Sequence, residues 1–334
     1  MSGPHWLIYA LGGGLGHVTR ATSLIRAAER EGVTCTVLAN TSLLASLPLL
    51  AELPSSTQWI ALPADVLPTD VADRLRSELS NQPPDCLIVD TFPRGLGGEL
   101  VDVLPHLSCP SVLIHRDLNP RYVEQLDLRR FVRHYDCILV PGEEPEFADV
   151  PQAVRTSAWL CRDADELFSP EDARSQLALT NDISLPIVLV SASGQPIEMQ
   201  EMCALAEQLD RELSGQCIVR LACLIEPVTE HARRLRLSAW PILPLLPGVA
   251  VLVGAGGYNT VQEARAVGVP FIGFARRRLY DRQADRLTET ETVSSAEEVI
   301  SRVREFLATA KIREPVRYLN GTHQAVRALL ELGR

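Results

Sequence analysis

Trp6-Leu7-Ile8-Tyr9-Ala10-Leu11-Gly12-Gly13-Gly14-Leu15-Gly16-His17 is an apolar run that breaks into a glycine-rich turn. Beyond it Val18, Ala21, Leu24, Ile25 and Ala28 recur at helical spacing until Gly32 ends the pattern. A buried strand, a tight turn and an amphipathic helix in that order open a parallel sheet with crossover helices. Further strands are predicted at Thr34–Ala39, Thr57–Leu62, Cys86–Val89, Ser111–His115 and Cys137–Val140, which completes one α/β domain by about residue 155. The charged stretch Arg162 to Asp172 reads as a linker or as the first surface helix of a new domain. The rhythm then restarts. Pro186–Ser191 is a strand, followed by Ala192-Ser193-Gly194 and a helical pattern through Leu213. Strands follow at Cys217–Ala222, Val249–Val253 and Val269–Phe274, with a short helix at Asn259–Val267 closed by Gly268 and Pro270. An amphipathic helix, Gln324 to Leu332, follows the Asn320-Gly321 turn.

The 334 residues suffice for two domains of ordinary size. At 46% hydrophobic and 22% charged residues, disordered and low-complexity classes are excluded. The net charge of −10 argues against a sequence-independent nucleic-acid binder, which must neutralise phosphates with basic side chains. Lys311 is the only lysine, so a Lys-based phosphate loop or Schiff base is ruled out and any anion contact falls to arginine forks or backbone amides. The eight cysteines show no Cys-x-x-Cys pair and no metal-ligand spacing. Cys86, Cys137 and Cys217 lie in apolar runs, as buried free thiols do in a reducing compartment. Neither a signal peptide nor a transmembrane helix is read from the chain.

Glycine-rich turns between strand and helix aim backbone N–H groups and a positive dipole end at whatever binds there. In the first turn, glycines at Gly12 and Gly14 would have to be completed by a third where His17 stands, and the next strand ends in Asn40-Thr41 rather than in an acid. Both points count against a dinucleotide fingerprint. His17, in the first turn of a helix at the C-terminal edge of a parallel sheet, is expected to be a neutral base whose pKa the dipole lowers; a plain loop cap is the alternative. The second turn, Gly254-Ala255-Gly256-Gly257-Tyr258-Asn259-Thr260-Val261-Gln262-Glu263, is a ready pyrophosphate cradle. Glu263 is placed in the first helical turn, where it could accept ribose hydroxyls or merely complement the dipole. Six arginines between residues 265 and 286 face only Asp281 and Asp285, an excess that fits an anionic ligand or a solvated charged face.

Together, Gly12–His17, Gly256-Gly257-Tyr258-Asn259-Thr260-x-x-Glu263, Gly268-Val269-Pro270 and Asp281-x-Gln283 resemble GT-B glycosyltransferases. The resemblance is to those related to the peptidoglycan N-acetylglucosaminyltransferase (family 28) and to the UDP-glycosyltransferases. It implies two doubly wound Rossmann-like domains facing across a cleft: an acceptor-binding domain at 1–158 and a nucleotide-sugar-binding domain at 159–318. A C-terminal helix at 319–334 is placed to pack back on the first. It further implies inverting, metal-independent transfer of a hexosyl group from a nucleotide diphosphate sugar, with UDP as the expected nucleotide, to a hydroxyl acceptor that can be lipid-linked. No cofactor is called for. His17 is then the base, Asp90 holds it, and Gly13, Gly14, Gly16 and Arg20 form the phosphate or acceptor loop. Ser193, Gly194, Gly256, Gly257, Asn259, Thr260, Glu263, Asp281 and Gln283 bind the donor, with Arg277 or Arg278 adding charge. The expected location is the cytoplasm, with peripheral contact at the inner membrane face open to it. Two departures stand out: Ala255 occupies the place of a phosphate-contacting His, and Trp240-Pro241 only partly echoes a base-stacking segment. Gly-Leu-Gly-His-Val-x-Arg also resembles nucleotide-sugar hydrolases of nonulosonic acid biosynthesis, and a non-catalytic nucleotide-sugar-binding protein is the third reading.

Remaining constellations are weaker. Asp163-Ala164-Asp165 reads as a solvated acidic turn rather than a metal site. His115-Arg116-Asp117 either contacts an acceptor or pairs structurally, and Leu43, Leu44, Leu47, Leu50 and Leu53 form an apolar helical stripe.

Overall fold

A computed structural model describes residues 3–48, 52, 53, 55–178, 184–309 and 316–333. The chain forms two compact units: Met1–Cys161 with Leu279–Asp281 and Asn320–Arg334, and Arg162–Arg278 with Arg282–Leu319.

The first unit holds seven parallel strands, β1 (His5–Tyr9), β2 (Thr34–Ala39), β3 (Gln58–Ala61), β4 (Cys86–Asp90), β5 (Ser111–Ile114), β6 (Cys137–Pro141) and β7 (Ala153–Thr156), in the order β3-β2-β1-β4-β5-β6-β7. The central strands are near-continuous apolar runs because both faces are covered. Trp6, Ile8, Val37, Ile88 and Ile114 point into one core, while Leu7, Tyr9, Leu38, Leu87, Val89 and Leu113 point into the other. Helix Leu15–Arg30 covers the first face, joined by the C-terminal helix Gly321–Leu332, whose Ala325, Val326 and Leu329 enter the same core. The Asn320-Gly321 turn is that helix's cap: Asn320 accepts from Thr322 N–H and also bonds both backbone groups of Leu160.

The second unit repeats the plan with six parallel strands, β8 (Ile187–Ser191), β9 (Ile218–Ala222), β10 (Arg236–Leu237), β11 (Val251–Ala255), β12 (Phe271–Phe274) and β13 (Thr292–Val293), in the order β10-β9-β8-β11-β12-β13. Helix Pro196–Glu212 and helix Ala296–Ala308 pack on it through Met202, Leu205, Leu209, Val299 and Val303. Gly268, at φ 70°, ends helix Tyr258–Val267 in the left-handed conformation, as the Gly-Val-Pro sequence predicts.

Two readings change. The leucine stripe is not one helix: Leu44–Ser46 is a single 3-10 turn, Leu47 is extended, and Leu50 lies outside the described residues. Leu47 and Leu53 are nonetheless buried. Strands β7, β10 and β13 have no counterpart in the apolar runs, since a four-residue Ala-Val-Arg-Thr edge strand and two-residue strands carry too little pattern to register. Asp163 caps a 3-10 turn reciprocally with Glu166, as a solvated acidic turn would. Among the described residues no helix is long and apolar enough to cross a membrane, and no cluster of His, Cys, Asp or Glu could hold a metal ion. All eight cysteines are free thiols.

Candidate active site

Each sheet has one switch point, where the strand order reverses direction, and loops leaving the C-terminal ends of the two strands there form the usual ligand crevice. In the first unit the switch lies between β1 and β4. β1 leads into the loop that ends at His17, and Asp90 is the last residue of β4. Topology alone therefore brings together two residues 73 positions apart: His17 Nδ1 lies 2.6 Å from Asp90 Oδ2.

Asp90 is fully buried and has a second partner. Arg20, one turn beyond His17 on the same helix and itself 5% exposed, gives Nε to Oδ1 at 2.9 Å and Nη2 to Oδ2 at 2.7 Å. Nη2 also reaches Thr91 Oγ1 at 3.1 Å. Burial alone would raise the Asp90 carboxyl, but Arg20 and then His17 hold it well below the ordinary carboxylate range. With Asp90 ionised, Nδ1–H of His17 donates to it and the lone pair falls on Nε2. Nε2 has no hydrogen-bond partner among the described residues, and the His17 side chain keeps 12% of its exposure. His17 is held below its ordinary pKa as expected, yet burial is the largest cause; Asp90 opposes it, and Arg20 and Arg116 add to it. Phe92 stacks on the ring at 5.6 Å, and Gly12 lacks the Cβ that would overlap it.

The glycine loop has a holder that the sequence did not announce as one. Asn40, at the end of β2, accepts from the N–H groups of both Gly12 and Gly13 at 2.9 Å. Gly13 (φ 71°) and Gly14 are exposed, and Gly14 caps the helix with no side-chain bond, while Gly16 lies in its first turn. Arg20, grouped with this loop in the sequence reading, is spent on Asp90 and Thr91 rather than presented to a phosphate.

In the second unit the switch lies between β8 and β11, and both expected donor loops leave from it. Ser193 and Gly194 (φ 112°) follow β8, and Gly256 to Thr260 follow β11, with a Cβ on Gly254 coming within 3.6 Å of Ser191. The two glycine amides are used within the fold: Gly256 N–H donates to Phe274 and Gly257 N–H to the Ala255 carbonyl. Helix Tyr258–Val267 starts behind Gly257, an N-cap with no side-chain bond, so the positive end of its dipole lies at this loop. Gly256 is glycine because a Cβ would press on Leu287 and the Gln283 carbonyl, and buried Arg286 binds its oxygen at 2.8 Å.

Glu263 does not lie in the first turn. Helix Tyr258–Val267 starts five residues before it and has no acid in its first turn, so a dipole role does not apply. It is 6% exposed, no hydrogen bond or ion pair reaches its carboxyl group among the described residues, and burial pushes it up to about 8. A buried carboxyl without a protein partner is the strongest sign of an awaited ligand in this unit.

The arginine excess is mostly internal. Arg278 makes a two-pronged pair with Glu198 at 2.5 and 2.7 Å, Arg276 meets Glu201 at 2.7 Å, and Arg282 meets Asp285 at 3.3 Å. Arg265 bonds Glu291 and the Arg286 carbonyl. Among the described residues only Arg277 of the six is exposed without a side-chain hydrogen bond or ion pair. Gln283 is buried, its Oε1 accepting from Arg276 N–H, and Asp281 is half-buried. His115-Arg116-Asp117 resolves toward pairing: His115 is fully buried, bonds the Glu146 carbonyl and stacks on Phe147, and burial pulls it down to about 4. Arg116 binds Glu143 at 2.8 Å.

No protein-family profile and no curated protein matches the chain. Among solved structures it is similar to the kitacinnamycin glycotransferase, at 15% identity and a TM-score of 0.66 over 99% of each chain. It is also similar to the Streptomyces sp. SF2575 glycosyltransferase SsfS6 complexed with thymidine diphosphate, at 13% identity and a TM-score of 0.60 over 98% of this chain and 100% of that one. TcCGT1 in complex with UDP gives 14% identity and a TM-score of 0.60 over 99% and 100%. The fold is therefore GT-B along essentially the whole chain.

Proposed function

We propose that this protein is a glycosyltransferase that moves a hexosyl group from a nucleoside diphosphate sugar to a hydroxyl acceptor, with inversion and without a metal ion. The observation that carries it is His17 with Nδ1 tied to ionised Asp90 and Nε2 unpartnered at the sheet's switch point. That is the arrangement of a general base. The acceptor oxygen attacks the anomeric carbon, its proton passes to Nε2, and the bond from that carbon to the diphosphate oxygen breaks. A single displacement inverts the centre. The first unit supplies the base and takes the acceptor, and the second takes the donor. There Ser193, Gly194 and the Gly256–Thr260 loop at the helix N-terminus receive the diphosphate. Such preorganised donors stabilise charge on a leaving diphosphate. Glu263 takes the ribose hydroxyls, Gln283 the sugar, and exposed Arg277 is the guanidinium left to add charge. Solved relatives of the same fold hold UDP and thymidine diphosphate, which makes a uridine or thymidine nucleotide the first to test.

The test is a panel of UDP-, dTDP- and GDP-sugars incubated with and without small alcohol acceptors, followed by chromatography for free nucleoside diphosphate and glycoside. Acceptor-dependent release is expected. Equal release without any acceptor would make the protein a hydrolase, and binding without release from any donor would make it a carrier.

A further inference from the structure

We propose that Arg20 is a positioning residue for His17: its Nε and Nη2 lock the Asp90 carboxylate in the orientation that holds the imidazole and cancel most of the carboxylate's charge, so that His17 stays unprotonated and ready to accept. The inference rests on the reading of His17 as the base. In a two-member His–Asp pair, an uncompensated buried carboxylate favours imidazolium and would leave the base already protonated near neutrality. Here the carboxylate is fully buried and bonded through both oxygens to a guanidinium that is itself 5% exposed. The pair is close to neutral as seen from His17. Oδ2 of ionised Asp90, 2.6 Å from Nδ1, can only accept, which puts the proton on Nδ1 and the lone pair on Nε2, while the cationic Arg20 Nη2 stands 3.3 Å from the same ring nitrogen. Thr91, at φ 71°, carries a hydroxyl that receives the same Nη2, so the carboxylate, the guanidinium and the turn after β4 form one unit. Among the described residues the further charged group acting on His17 is Arg116, whose charge is answered by Glu143. Phe92, stacked on the ring, is apolar.

The experiment follows the His17 ring in histidine-labelled protein by NMR against pH, with its signal assigned by loss in His17→Gln, alongside the pH profile of kcat/KM. Arg20→Met should raise the His17 midpoint by about one pH unit or more, as an uncompensated carboxylate at contact distance does, and move the acid limb of kcat/KM with it. Arg20→Lys, which keeps the charge, should remain close to wild type. Arg20→Met can fail to fold, since it strands Asp90. The pair Arg20→Met/Asp90→Asn then carries the test: with both charges gone, His17 should return near its wild-type midpoint, whereas Asp90→Asn alone should lower it. An unmoved midpoint in Arg20→Met, or a double variant that falls as far as Asp90→Asn, overturns the proposal. A midpoint that moves while the acid limb stays put overturns the base reading instead, because the NMR titration needs no substrate and no turnover.

Discussion

Glu263 is a buried residue whose burial raises the carboxyl pKa from 4.5 to about 8. A raised acid contributes stability that is complete below its unfolded value and is lost as pH climbs to the folded one. Wild-type stability should therefore fall between pH 4.5 and about 8, at up to about 1.4 kcal/mol per pH unit, and Glu263→Gln should flatten that slope in denaturant titrations. If ribose hydroxyls are its partners, donor binding ionises it, and calorimetry in buffers of different ionisation enthalpy should show proton release near pH 7. Glu263→Ala should weaken nucleoside diphosphate binding by roughly 1.5–3 kcal/mol, and unchanged affinity would remove it from the site. His17 makes the opposite demand. His17→Ala should cost ~10²–10⁴-fold in turnover with donor affinity nearly intact, because Ser193, Thr260 and Glu263, the groups proposed for the nucleotide, belong to the other unit. A variant with wild-type turnover and a lowered Tm would reduce His17 to a structural ring.

At the level of elements, each loop is shaped by one side chain reaching from a neighbouring strand or helix. Asn40 at the end of β2 holds two amides of the first glycine turn. Asn40→Ala leaves both without a partner, which should cost about 1–3 kcal/mol and loosen the turn that bears His17. Chemical denaturation and the order of the Gly12–Gly14 amides by NMR would show it, and an unchanged Cm would assign the turn's shape to its glycines alone. In the second unit Glu198 performs two tasks, accepting from Gln195 N–H at the start of its helix and binding Arg278. That double use explains why an arginine-rich segment in an acidic chain does not by itself make an anion site.

The whole molecule depends on its last helix more than sequence order suggests. Gly321–Leu332 places Ala325, Val326 and Leu329 in the core that Trp6, Leu24 and Trp159 share, and Gly321 touches Ser157 so closely that a Cβ would collide with its carbonyl. Truncation after residue 319 should therefore destabilise the first unit. Leu329→Ala, the milder change, should cost about 2–5 kcal/mol by scanning calorimetry. Retention of the wild-type Tm on truncation would make the helix dispensable.

Alternating apolar strands and helical patterns, and the glycine turns after the first strand-like run of each half and the third of the second, are local properties, and they were enough to point to a doubly wound α/β architecture and to single out His17, the Gly256–Thr260 loop and Glu263, with Asp90 added by the family resemblance. Sequence could do this because period and turn chemistry are written in neighbouring residues. What it left open depends on partners distant along the chain. Arg20 looks like a loop cation until β4 brings Asp90 to it, and six arginines look like an anion site until Glu198, Glu201, Asp285 and Glu291 are seen to occupy most of them. Asn40 reads only as a missing ribose acid until the parallel pairing of β2 with β1 sets it under the turn. Charge, burial and hydrogen-bond satisfaction are sums over everything packed around a group, so only the tertiary structure decides which side chains are already answered and which are left for a ligand.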